Sequence, residues 1–343
     1  MTMHRLSAGA GYRYLLRQVA TGDCQRTGPA PVTAYYLESG NPPGRWLGRG
    51  LAGLTDPTTD PSVLSAGAVV EEVGMSRLFA HGLNPLTGVP LGRAYPAVIS
   101  PADRVAAQVK ALPADMSPPA RQAAIEAITR VELGRDTSPV VAGFDLTFTA
   151  MKSVSTLWAV ADETTRQAVT DAHAAAVAQA MDVLQGRALY TRTGHSGCRQ
   201  ESTLGAVAVG FDHWDSRAGD PNLHTHVVLA NKVQGRDGAW RSVDSRALHH
   251  AVVAVSEAYN GFLVDELSRR LPVGWGWRSR GAHRSLAFEL DGISDELMTA
   301  FSQRTSQIDE AMTAAVAGFA AGHGRAPNRI EITRLRQQVT RAT

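Results

Sequence analysis

Residues 204–233 read LGAVAVGFDHWDSRAGDPNLHTHVVLANKV. Two runs rich in valine, alanine and leucine, 204–214 and 223–233, flank the polar segment DSRAGDPN, in which Gly219 and Pro221 mark a turn. That pattern is an antiparallel hairpin with a long loop. A strand returns to the same face every second residue, so His224 and His226 stand side by side. His213 ends the neighbouring strand and brings a third imidazole to them. Three neutral imidazoles converging on one point make a metal site with open coordination positions, the kind that catalytic centres keep. A bare HxH pair also reads as a solvated edge strand; the third histidine on the partner strand tells against that. His249 and His250 fall on a helix beyond the hairpin, where capping or exposure to solvent is expected.

Working outward, residues 139–150, PVVAGFDLTFTA, form a strand in which Phe144, Leu146 and Phe148 alternate with Asp145, Thr147 and Thr149. Asp145 is a lone carboxylate on a strand otherwise suited to burial, which is costly unless a cation, a metal-bound histidine or a proton donor faces it. It either orients an imidazole, takes a proton from a nucleophile, or lies on a solvated face. Lys152 and Ser153 at the strand's end are positioned for phosphate, with Ser153 expected to cap the next helix. An Ala-rich helical stretch runs from Ser153 or Glu163 to Leu184 and leads to a strand at ALYTRTG. After Trp240 come a helix from Ser245 to Leu271, a strand pair around Trp275 and Leu286, and helices from Ser294 and Ile330. Upstream, a short strand at Met3–Leu6 precedes a helix from about Tyr12 to Ala20. Residues 21–62 are loop-dominated, with a helical piece near Tyr35 and Tyr36, and 63–135 mix short helices with the turns NPLTG and SPP. The class is α+β: an antiparallel sheet with helices packed on it.

With 343 residues, 44% hydrophobic and 19% charged, and a formal net charge of +2, the chain has the balance of a soluble protein with room for one large core or two smaller ones. No run approaches the roughly 18 apolar residues of a membrane span, so neither membrane insertion nor secretion is expected. Cys24 and Cys198 stand in no metal-binding spacing and cannot build a disulfide framework, which makes a reducing cytoplasm the expected compartment. The basic residues comprise three lysines, Lys110, Lys152 and Lys232, and 31 arginines. Arginine's planar fork suits phosphate and guanine, although a GC-rich genome gives the same excess. Tyrosine is the remaining chemical signal. Tyr12 and Tyr14 are about 200° apart around a helix, so only one faces a given site, and either can attack phosphorus if its phenolate is stabilised. Half-buried packing is the competing reading.

The blocks FDLTFTAMKSVS (144–155), FDHWDSRAGDPNLHTHVVLAN (211–231), YYLESGNPPGRWLGRGLAGL (35–54) and FSQRTSQIDE (301–310) together strongly resemble the relaxase domain of the MobF class of conjugative relaxases, within the HUH endonuclease superfamily. The resemblance covers nearly the whole chain. It implies a five-stranded antiparallel palm with flanking helices, and a single relaxase domain over 1–343. The palm core would take in about 1–290 and a helical region of about 291–343 would cover the DNA. By block matching, His213, His224 and His226 take the metal-ligand positions and Asp145 that of the family's carboxylate. The nucleophile follows less directly, because the family's tyrosine pair is Tyr-Arg-Tyr here. An ungapped count from Ser7 selects Tyr14, with Tyr12 as the alternative, and Tyr35 and Tyr36 resemble the family's second pair.

The activity so implied is nicking of a transfer origin: a tyrosine attacks a DNA phosphodiester, leaving 5′-phosphotyrosyl DNA and a free 3′-OH that permits rejoining. The cofactor would be a divalent cation; three histidines accept Zn, Mn, Ni or Co and, less naturally, Mg. Partners would be origin DNA, single-stranded at the nick, and accessory conjugation proteins. The resemblance also implies a following helicase region; no GxxxxGK[ST] loop occurs within these residues, so either that region is expected outside them or the domain stands alone. Lys152 and Arg304 are the expected DNA contacts. Three other readings compete: a metal-dependent phosphodiesterase that activates water, a rolling-circle replication initiator, and a DNA-binding protein whose histidine site is structural.

Overall fold

The computed structural model describes residues 1–12, 42–55, 64–95, 99–135, 140–216, 218–279 and 286–342. Tyr14, Tyr35, Tyr36 and Cys24, with the expected helix to Ala20, lie outside them. The strands are β1 (Thr2–Ser7), β2 (Arg45–Leu47), β3 (Val141–Thr149), β4 (Tyr190–Thr193), β5 (Arg199–Ser202), β6 (Ala208–Asp215), β7 (Pro221–Ala230), β8 (Val233–Gln234), β9 (Trp240–Arg241), β10 (Trp275–Arg278) and β11 (Ala287–Leu290). Five of these form one antiparallel sheet in the order β1-β3-β7-β6-β2, and the other strands pair as three small ribbons. The helices are α1 (Glu72–Met75, continuing as a π-helical turn over Ser76–His81), α2 (Pro101–Lys110), α3 (Pro118–Gly134), α4 (Lys152–Val160), α5 (Glu163–Arg187), α6 (Ser245–Arg270), α7 (Asp295–Ala300), α8 (Gln303–His323) and α9 (Arg329–Ala342). The α+β class and the five-stranded antiparallel palm are both present.

Alternation along β3 and β7 divides the interior into two cores. On the back, Phe144, Leu146, Phe148, Val227 and Leu229 meet Val169, Ala176 and Leu184 of α5 and Val255, Tyr259 and Leu263 of α6. On the front, Val209, Phe211, Val228 and Ala230 pack with Leu6, Tyr12, Trp46 and Phe79. Each large apolar side chain buried in this way is worth about 1.5–3 kcal/mol, so the sheet is fixed from both faces.

The Ala-rich stretch is two helices rather than one. α4 ends at Val160, and Asp162 opens α5 by accepting the Thr165 N–H at 2.8 Å. Ser153 also departs from its expected capping role: Met151 is the N-cap of α4, and the fully buried Ser153 hydroxyl donates to Glu289 at 2.6 Å and accepts the Leu290 N–H at 2.8 Å. Glu289 of β11 reaches Ser153 of α4 from 136 residues downstream, a contact that no local pattern announces. His249 and His250 are exposed on α6, as expected.

Candidate metal centre

Strands β6 and β7 pair with His213 opposite His224 and Phe211 opposite His226. Odd positions of β6 and even positions of β7 therefore share the front face, and the three imidazoles meet there. Their ring centroids are 5.0, 5.1 and 5.1 Å apart, nearly an equilateral triangle. The hairpin is closed by Ser216, whose backbone N–H donates to the Asp220 carbonyl at 2.8 Å, and by Gly219 at φ +76°, a left-handed conformation that favours glycine. A register irregularity between His213 and Asp215 releases β6 into this turn just beyond its ligand.

Each histidine is held by its surroundings. His226 Nδ1–H donates to both Asp145 oxygens, at 2.9 and 3.0 Å, which leaves Nε2 with its lone pair. Asp145 sits opposite Val228 on β3, diagonal to His226, and only 1% of its side chain is exposed. The carboxylate is therefore interior, and the solvated-face reading of Asp145 does not hold. His224 Nδ1–H donates to the Asn222 carbonyl at 2.6 Å and its Nε2 lies 3.3 Å from His213 Nδ1. These partners fix ring orientation as they do for imidazoles around a metal.

The donor set fits a divalent cation. One nitrogen from each imidazole lies within 4.8 Å of the others. The 3.3 Å between His213 and His224 nitrogens is close to the spacing imposed on two nitrogens each about 2.1 Å from one cation. Burial pushes His213 down to about 2, with the neighbouring His224 and His226 adding to the shift. Burial, with His226 and the positive charge of Arg304, lowers His224 to about 4 against the opposing pull of the Asn222 carbonyl and Asp145. Both rings are neutral at physiological pH, the state in which imidazole donates a lone pair.

Arg304 lies in the first turn of α8 beside this cluster; its backbone N–H and that of Gln303 donate to Asp220 in the hairpin turn, at 2.9 and 3.1 Å. The Lys152 ammonium is occupied by the carbonyls of Pro221, at 3.0 Å, and Phe301. Tyr12 closes a 3-10 turn, Ala10–Tyr12, with its ring 2% exposed in the front core. The structure also contains a polar chain behind the hairpin, running from Tyr259 through His173 and Thr225 to Asp212, that lies outside the candidate residues named above. Its signal was present: Asp212 and Thr225 are polar at positions that the alternation assigns to the helix-covered face.

Residues 8–343 match the family model described as TrwC relaxase. The chain belongs to the TrwC relaxase family. Two multifunctional conjugation proteins TraI, one from Escherichia coli and one from its strain K12, are 32% and 30% identical to it over 176 residues. The match takes in 50% of this chain and spans 10% of the length of each relative. A copper-bound structure of the conjugative relaxase TrwC in complex with oriT DNA aligns with 99% of this chain and 89% of its own, at 24% identity and a TM-score of 0.62. TrwC complexed with a 27-mer DNA comprising the recognition hairpin and the cleavage site gives the same coverage at 23% identity and a TM-score of 0.59. The family's fold is thus shared across the chain.

Proposed function

We propose that this chain is the transesterase domain of a conjugative relaxase, which nicks one strand of a plasmid transfer origin and rejoins it through a tyrosine-linked intermediate. The observation that carries the reading is the triangle of three imidazoles backed by Asp145, in a chain of the TrwC relaxase family. His213, His224 and His226 would hold a divalent cation such as Zn, Mn, Ni, Co or Mg. When bound, it would supply Lewis-acid polarisation of the scissile phosphate and offset charge growing on its oxygens.

The chain's own residues account for the remaining steps. Asp145 keeps His226 in the Nδ1–H tautomer and is the carboxylate through which a tyrosine proton leaves, directly or by way of water. The phenolate oxygen attacks phosphorus in line; the new O–P bond replaces the P–O3′ bond, and the departing 3′ oxygen takes up a proton. One phosphodiester is exchanged for another, so the 3′-OH can attack in reverse and rejoin the strand. Tyr14 is the proposed nucleophile. The burial of Tyr12 in the front core supports this choice over the alternative.

Arg304, whose charge reaches His224, is the proposed phosphate contact nearest the cut. Lys152, committed to two carbonyls, is better suited to holding the helical region in place than to binding DNA. The domain reading is a palm over about 1–290 with helices over about 291–343 covering a single strand. Origin DNA, a helicase region and accessory conjugation proteins are the partners, and the cytoplasm the compartment. Among the described residues no helix is long and apolar enough to cross a membrane.

The test is incubation with a single-stranded origin oligonucleotide and Mn²⁺, followed by denaturing gel and mass spectrometry. The expected product is a denaturant-resistant adduct on Tyr14 with an equal yield of free 3′-OH strand. Cleavage without any adduct would overturn this reading in favour of a water-using phosphodiesterase.

A further inference from the structure

The polar chain on the back of the palm takes no part in the chemistry above, yet it lies directly behind it. Thr225 lies between His224 and His226, and it pairs across the strands with Asp212, the neighbour of His213. The Thr225 hydroxyl donates to Asp212 Oδ1 at 2.6 Å, and Arg45 of β2 donates to Asp212 Oδ2 at 2.6 Å. Because the Thr225 proton is committed to the carboxylate, its oxygen accepts from His173 Nε2–H of α5, at 2.9 Å. His173 Nδ1 is then an acceptor, and the Tyr259 hydroxyl of α6 donates to it at 2.8 Å. One tautomer and one direction of donation satisfy the whole run from Tyr259 to Arg45. His173, Tyr259 and Thr225 are buried in the back core, where a half-satisfied network would cost more than an apolar one.

Apolar side chains of the same size would fill this space without the desolvation cost, so the polarity calls for a reason. Hydrophobic alternation opposes a one-residue slip of β6 against β7, because every side chain would change face. It does not oppose a two-residue slip, which keeps the faces. Such a slip would set His213 opposite His226 or Asn222 in place of His224. The directional bonds break on that slip, and α5 and α6 together anchor the one register that brings the three imidazoles into a triangle.

We propose that Tyr259, His173, Thr225, Asp212 and Arg45 form a positioning relay that sets the β6–β7 register at the histidine cluster and thereby the affinity of that cluster for a divalent cation. This rests on the cation-site reading of His213, His224 and His226. None of the five touches the reacting atoms; they act through the strands that carry the ligands.

Co²⁺ titration of the purified chain, read by its visible absorption and by competition with a chromogenic chelator, tests the relay without any DNA. Thr225→Val removes the hydroxyl at nearly constant volume, and Thr225→Ser keeps the hydroxyl while dropping the methyl. Removing a group that orients metal ligands costs about 10–100-fold in affinity, so T225V is expected to lose at least about tenfold and T225S to stay near the parent. Equal affinity in T225V and parent would overturn the relay, and so would equal losses in T225V and T225S, which would point to packing. Should T225V fail to fold, Tyr259→Phe decides: it deletes one oxygen at the far end of the run, and an unchanged Co²⁺ affinity overturns the proposal. A parent chain that binds no Co²⁺ at all would overturn the cation site itself together with the relay, an outcome distinguishable because no variant is then needed to see it.

Discussion

The β6–β7 hairpin and the α8–α9 pair are built on opposite principles. In the hairpin strands every side chain but Asp215 is buried or half-buried, and His224, His226 and the back-face polar groups have named partners. In α8 only Met312 is buried, and α9, with Ile330 66% exposed, buries none of its described side chains. The helices are tied to the palm by a few polar contacts at their root: Asp220 to the first turn of α8, and Lys152 to the carbonyl of Phe301. On the proposed reading, metal ligands must be held to fractions of an ångström before substrate arrives, whereas helices that cover DNA must admit and release a strand. The first requirement calls for deep burial and the second for shallow attachment.

If that contrast is right, the largest effects come from the hairpin. His224→Ala with His226→Ala should abolish adduct formation, a loss of at least about 10³-fold on the scale of lost transition-state stabilisation. Single-strand binding should change only a few-fold, since affinity comes mostly from spread phosphate contacts. A double variant that nicks at the parent's rate in the presence of a chelator would remove the histidines from the chemistry. Tyr14→Phe is expected to bind the origin strand normally and form no adduct, while Tyr12→Phe keeps at least part of the activity. The reverse result would move the nucleophile to Tyr12; an adduct surviving in the double tyrosine variant would point to Tyr35 or Tyr36.

The hairpin was also the most legible part of the sequence. Period-two alternation around DSRAGDPN placed His213, His224 and His226 on one face, and the same periodicity in 139–150 placed Asp145 opposite the helix-facing phenylalanines. What stayed hidden depends on distant segments. His173 looks like any polar residue of an Ala-rich helix until α6 brings Tyr259 beside it. The role of Ser153 is set by Glu289 on β11. The Asn222 carbonyl that orients His224 belongs to the backbone and has no side-chain signature.

Acid should separate the two regions more gently. Burial depresses His173 from 6.5 to about 3. Between those values the unfolded chain binds a proton there that the folded chain refuses, so stability falls as pH drops below 6.5 and stops falling through this group near 3. Replacing His173 by Gln should therefore flatten the dependence of palm unfolding on pH over 4–6 by roughly one proton, or about 1.4 kcal/mol per pH unit. The two hydrogen-bond partners of His173, which are Tyr259 and Thr225, belong to the palm, so opening of the helices should not carry this contribution. Near-UV circular dichroism of the metal-free chain reports the palm, and limited proteolysis reports the helices. A common pH dependence for both would mean that they unfold as one unit.

The smallest expected effect tests the attachment itself. Asp220 is buried in the hairpin turn, and its carboxylate accepts the Gln303 and Arg304 N–H groups, supplying from outside the cap that α8 lacks from its own Ser302. Its charge also favours the ammonium form of Lys152, which burial disfavours. Loss of a side-chain cap costs about 0.5–2 kcal/mol. For Asp220→Ala a value near 1 kcal/mol corresponds to roughly a fivefold larger population in which the helices are open. Protease cleavage within 303–342 should accelerate by about that factor, while amide exchange of the central β7 residues 225–229 changes little. Equal acceleration in both regions would show that Asp220 stabilises the palm as a whole, and the helices would then be part of the same cooperative unit as the metal centre.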